Sequence, residues 1–110
     1  MSSGIQLRAD AQRSLGFASI IAGYTAIGSS FPFAMRIIKI DNLTNATLQF
    51  SFTGTTDHFV LPAGGFLLVD VCTNEVQTAG FFISVGTTMY VKRIGTPTSG
   101  SVYVTTFYGV

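Results

Sequence analysis

The sequence predicts an all-β chain, an antiparallel β-sandwich of about eight short strands in jelly-roll (Greek key) order, and three observations carry that expectation. Apolar residues recur with a period of two, not 3.6, wherever a period can be measured. Segments rich in Gly, Pro, Ser and Thr separate the alternating runs at intervals of about 8 to 12 residues, as sandwich strands require. No stretch shows a helix cap with a 3.6 period behind it, and 8–13 is the one weakly helical candidate.

In chain order, residues 1–13 read as a largely polar N-terminal arm whose spaced apolar side chains are Ile5 and Leu7. Residues 14–110 read as one sandwich domain, since 110 residues support a single core. Strands are expected at 15–21, 33–40, 47–52, 58–61, 66–72, 80–84, 88–94 and 102–107. The clearest is 47–52, where Leu48, Phe50 and Phe52 alternate with Thr47, Gln49 and Ser51 to give one buried and one wet face. Residues 102–107 alternate Val102, Val104 and Thr106 with Tyr103, Thr105 and Phe107, so both faces need cover. The connection 53–57 contains Gly54, which takes positive φ without steric cost, and 61–65 couples Pro62, which presets φ, to Gly64 and Gly65. With no crossover helices the sheets are antiparallel and each buries one face on the other. An immunoglobulin-like order would leave its usual buried Trp and Cys pair unaccounted for, because the chain has no Trp and one Cys.

Charge narrows the function. Six basic and five acidic residues make the chain 10% charged with a net charge of +1, against about a quarter charged in an ordinary soluble domain. Such a surface lacks the repulsion that keeps proteins apart and suits contact with other protein. The dispersed cations leave no footprint for nucleic acid, which needs several clustered ones. The apolar runs fall far short of the roughly 20 residues of a membrane helix. No secretory leader is expected, because Arg8, Asp10 and Arg13 precede any apolar stretch. The triplets at Asn42 and Asn45 fit the glycan acceptor pattern, which has no meaning without export.

Residue chemistry points away from catalysis. His58 is the only histidine, so one chain cannot assemble a site with two imidazoles. Asp57 and His58 are adjacent on a strand and face opposite ways, which gives His58 a structural role. Cys72 ends an apolar strand and reads as a packed thiol. Neither phosphate-loop pattern is present. No catalytic residue, metal ligand or cofactor is therefore expected, and the chain is read as no enzyme. Tyr24, Tyr90, Tyr103 and Tyr108 serve packing, or a ligand platform if they cluster.

Candidate subunit-interface residues remain. Asp70 alternates onto the face of Phe66 and Leu68, so its carboxylate either meets solvent at a strand edge or joins an ion pair between subunits. Arg36 interrupts 34–40, and its fork suits a carboxylate such as Asp70. In the arm, Ile5 and Leu7 share one face of an extended chain, with Arg8 and Arg13 as charged anchors, a pattern suited to lying along a neighbouring subunit as an added strand.

The polar arm, the run Arg13-Ser14-Leu15-Gly16-Phe17-Ala18-Ser19-Ile20, the core stretch from Ile37 to Phe52, the segment from Thr56 to Phe66 and the closing Gly100-Ser101-Val102-Tyr103-Val104 together resemble small virion proteins of tailed bacteriophages. The resemblance covers most of the chain and is closest to the jelly-roll decoration, or cement, proteins, of which the small staple protein of epsilon15-like podoviruses is an example. It implies many copies on the outer capsid surface, assembled in the bacterial host cytoplasm. There they bind the major capsid protein and bridge adjacent capsid subunits, with neither nucleic acid nor membrane as partner. A neck, head-tail adaptor or tail ring component has the same composition and differs in copy number. A carbohydrate-binding module would need exposed aromatics beside Asp or Asn.

Overall fold

The computed structural model describes residues 7–70 and 83–109. Among the described residues nine strands form two antiparallel sheets: β1 (Leu7–Ala9), β2 (Arg13–Gly16), β3 (Thr25–Ala26), β4 (Met35–Asn42), β5 (Leu48–Ser51), β6 (Phe59–Leu61), β7 (Phe66–Asp70), β8 (Tyr90–Arg93) and β9 (Ser101–Gly109). The first sheet has the order β1-β9-β4-β7, with β2 also on β9, and the second has the order β3-β8-β5-β6. The chain is thus an all-β antiparallel sandwich. Its pairings are nested: β5 lies on β6, β4 on β7, β3 on β8, and the two N-terminal strands on β9.

The period-two pattern explains which face goes inward. Ile38 and Ile40 of β4 and Val102 and Val104 of β9 face Leu48 and Phe50 of β5, Leu61 of β6 and Val91 of β8, all of them buried. Ile20, Ile27, Phe31, Met35 and Met89 complete the core from the connections and the start of β4. Each such side chain contributes about 1.5–3 kcal/mol by leaving water. Phe50 and Phe59 stack across the β5–β6 pair with centroids 5.2 Å apart.

Several expected elements shift for identifiable reasons. The strand expected at 15–21 ends at Gly16 and passes into a 3-10 turn, Phe17–Ser19. The weak helix at 8–13 is instead β1 and the start of β2, because the backbone there pairs with β9. The domain boundary expected at Arg13 therefore falls inside a sheet-forming segment. Strand β5 is buried on both faces, so the wet face expected for Gln49 and Ser51 is absent. Gln49 Nε2 donates to the Phe59 carbonyl at 2.8 Å, and the following loop folds back so that the Thr53 and Gly54 amides donate to Ser51 Oγ at 3.0 and 2.9 Å. Gly54 and Gly64 have the positive φ their turns demand, 81° and 76°. The end of the 66–72 strand, with Cys72, and most of the 80–84 strand lie outside the described residues. Ile83 makes a single bridge to Met35.

Candidate binding surface

In an antiparallel sheet, directly paired residues share a face. The register therefore fixes what the first sheet presents outward: Ser14, Tyr103, Asp41 and Phe66 in one row, Thr105, Lys39 and Leu68 in the next, then Ala9, Phe107, Ile37 and Asp70, and last Leu7 beside Gly109. Phe66 and Leu68 are 60% and 54% exposed and Leu7 is 44% exposed, while Tyr103, Phe107 and Ile37 are half-buried. Exposed apolar side chains on a sheet face cost nothing individually, but a contiguous set of them marks a contact surface.

Two of the charges on this face are tied to each other. Lys39 Nζ lies 3.4 Å from Asp41 Oδ1 and 5.1 Å from the centroid of the Phe66 ring, so its stem covers apolar surface while its head is held by a carboxylate and a ring face. Gln12 Nε2 donates to Thr105 Oγ1 at 3.0 Å. At the far end of β4 the pairing with β9 shifts between Met35 and Ile37. Two residues, Arg36 and Ile37, then separate the buried Met35 and Ile38, where alternation allows one, and both turn outward.

This geometry brings three of the sequence-expected interface residues, Leu7, Arg36 and Asp70, to one face. Asp70 pairs with Ile37 in the register, directly beside Arg36, and is exposed. Arg8 pairs with Tyr108 and is exposed on β1. Ile5 lies outside the described residues. Arg13 is placed differently from the expectation: it is 7% exposed and bound by its own chain, so it is no anchor for a neighbour. Its Nε donates to the Ser29 carbonyl at 2.8 Å, Nη1 to Ala11 at 3.1 Å and Nη2 to Ser30 at 3.3 Å, with Asp10 Oδ2 at 3.0 Å from Nη2. The arm's expected seat on a neighbouring subunit is likewise taken, over Leu7–Ala9, by this chain's own β9.

A polar cluster on the second sheet was not legible in sequence, since its members come from distant segments. Tyr24 Oη donates to Asp57 Oδ1 at 2.5 Å, and Lys92 Nζ lies 3.1 Å from the same oxygen and 4.7 Å from the Tyr24 ring centroid. Burial of Tyr24, with the hydrogen bond to Asp57 and its charge, pushes the phenol up from 10.0 to about 12. The Tyr24 and Lys92 hydrogen bonds hold the Asp57 carboxyl below its ordinary 3.8. Neighbouring His58 has a structural contact, its Nδ1 accepting the Phe52 amide at 2.9 Å.

Among the described residues no group of three His, Cys, Asp or Glu side chains is arranged to hold a metal ion, and no helix is long and apolar enough to cross a membrane. Of the two glycan acceptor triplets, Asn42 is fully buried with its Nδ2 donating to the Ala46, Leu61 and Pro62 carbonyls, so that nitrogen is committed to the fold. The chain matches no family model, and no curated protein or solved structure shows significant similarity to it.

Proposed function

We propose that this chain is a structural protein of a tailed-phage virion, a jelly roll that decorates the capsid shell and stabilises it by bridging neighbouring capsid subunits. The observation that carries the reading is the outer face of the first sheet: exposed Phe66 and Leu68 on β7 lie beside Lys39 and Asp41, which are tied to each other, and Leu7 is exposed at the opposite edge. Burying such a face against the major capsid protein contributes about 25 cal/mol per Å² of apolar area, and many copies add up to resistance against outward pressure. The nested strand pairing, innermost at β5–β6 and outermost at β9, is what supports the jelly-roll order.

The test is sedimentation of the purified protein with capsid shells that lack it, at low and high salt. The intact chain co-sediments in many copies per shell with little salt dependence. Phe66→Lys combined with Leu68→Lys abolishes that binding and leaves the fold intact, both side chains being more than half exposed. Binding of only about a dozen copies would instead identify a ring component of the neck or tail.

A further inference from the structure

The β5–β6 loop is closed at its mouth by a side chain that changes charge near neutral pH. The Phe52 amide donates to His58 Nδ1 at 2.9 Å. A backbone amide can only donate, so Nδ1 carries a lone pair and the ring held here is neutral, with its proton on Nε2. The amides that follow are held by hydroxyls: Thr53 and Gly54 donate to Ser51 Oγ at 3.0 and 2.9 Å, and Thr55 and Thr56 to Thr53 Oγ1, each at 3.3 Å. Hydroxyls keep their form as pH falls, whereas an imidazole does not.

An imidazolium has no place in this seat. Both of its ring nitrogens donate, so Nδ1–H would point at the Phe52 N–H. The other polar atom within reach is Ser51 Oγ, 3.5 Å from Nδ1. Its two lone pairs already receive the Thr53 and Gly54 amides, which leaves it no acceptor to offer. His58 is exposed, so the charged ring can turn into water. The Phe52 ring, tilted against it with centroids 5.8 Å apart, then loses its cover.

What the bond fastens extends beyond the loop. Val91 faces the core, so Tyr90 beside it faces outward, and Gly54 lies on its ring, where a Cβ would come within 3.2 Å. At the other end of the loop the Asp57 carboxylate takes the Tyr24 hydroxyl and the Lys92 ammonium. The charged and titratable groups facing His58 and its loop are thus Asp57 of the loop itself, Lys92 and Tyr90 of β8, and Tyr24 of the β2–β3 connection. Asp57 and a charged His58 attract each other. Asp57 is held below 3.8 and Tyr24 is pushed up to about 12, so neither changes charge between about pH 5 and 8, the window in which histidine does.

We propose that His58 is an acid-sensitive latch: protonation of its ring releases the Phe52 amide and loosens residues 52–58 over the outer face of the second sheet. The sign follows from the bond. The neutral ring keeps the acceptor and holds the loop, and acid removes the acceptor and frees it. The latch works on the second sheet whatever the first sheet meets.

Nitrogen-15 NMR of the full chain between about pH 8 and 5 is the test. The Phe52 amide signal is expected to move with the same midpoint as the ring carbon signals of His58. Its protection from exchange, corrected for the intrinsic pH dependence, is expected to fall about two- to tenfold, as the loss of one net hydrogen bond implies. His58→Asn is the second arm, because its Oδ1 branches from Cγ as Nδ1 does and accepts without titrating. In that variant the Phe52 amide is expected to keep its protection across the whole range. A Phe52 amide that stays in place while His58 titrates overturns the proposal. So does an asparagine variant whose Phe52 amide responds to acid as the native one does, since the response then comes from another group.

Discussion

The guanidinium carbon of Arg13 sits 4.9 Å from the centroid of the Phe31 ring, inside a cage formed by its own chain. One face of the fork meets the ring, its edges donate to the carbonyls of Ala11, Ser29 and Ser30, and Asp10 supplies the counter-charge. The residue thereby pins the N-terminal strands to the β3–β4 loop. A Cβ on Gly28 would come within 2.8 Å of the Arg13 side chain, so the loop admits the arginine by carrying no side chain there.

Arg13→Lys keeps the charge and loses the planar fork, so it cannot serve the three carbonyls together. The expected cost is about 1–3 kcal/mol, the range for hydrogen bonds to charged groups that go unmade. Amide exchange checks it: the Asp10 amide, which donates to Thr106 at 3.0 Å, exchanges faster in the variant while amides of β5 keep their protection.

Gly100 has φ of 87°, and a Cβ there would stand 2.0 Å from the Leu43 carbonyl oxygen. Backbone blocks backbone at that point, so no rotamer relieves it. Gly100→Ala is expected to destabilise by about 2–4 kcal/mol, with thermal unfolding as the measurement. The same change at Gly86, which has nothing within 4 Å of its would-be Cβ, retains only the cost of positive φ and lowers the transition less.

Thr106 faces the core from β9, and among the described residues its buried Oγ1 has no hydrogen-bond partner. Valine has the same shape without the unsatisfied oxygen. Thr106→Val is expected to raise stability by about 1 kcal/mol, read from the midpoint of urea unfolding at unchanged slope.

One hydrogen bond links two titrations. The Tyr24 phenol has its folded-state pKa raised from 10.0 to about 12, so its contribution to stability is complete below pH 10 and is lost as pH rises through about 12. The Asp57 carboxyl is lowered from 3.8, so its contribution is present above that value and is lost as pH falls through the lower folded one. Tyr24→Phe should remove a tyrosinate step near pH 12 from the alkaline absorbance titration and move the Asp57 carboxyl up toward 3.8 in a carbon NMR titration. An Asp57 midpoint unmoved by the substitution would assign its shift to Lys92 and His58.

Period-two alternation made β4, β5, β7 and β9 legible, because each has one face against the core. It could not reveal β1, which is exposed at all three residues, or β3, whose two residues are too few to show a period. Arg13 looked like an exposed anchor because sequence places it among polar neighbours, and only the fold closes the β3–β4 loop over it. The outward face of the first sheet was half legible: Asp70 was visible on the side of Phe66 and Leu68, while the bulge that turns both Arg36 and Ile37 outward needed the β9 register. Tyr24, Asp57 and Lys92 carry no mutual signal, since 33 residues separate the first two and the pairing of β3 with β8 brings the third.

The nested pairing has a temporal consequence. The β5–β6 contact closes a short loop, whereas joining β2 to β9 brings together positions such as Arg13 and Val104 from opposite ends of the chain. Because closure entropy grows with the length of intervening chain, the innermost hairpin is the natural nucleus and each outer pair is favoured once the one within it has formed. Strand β9 pairs with β1, β2 and β4 and follows the other described strands in sequence. The first sheet therefore assembles around β9 only once Ser101–Gly109 is free to pair.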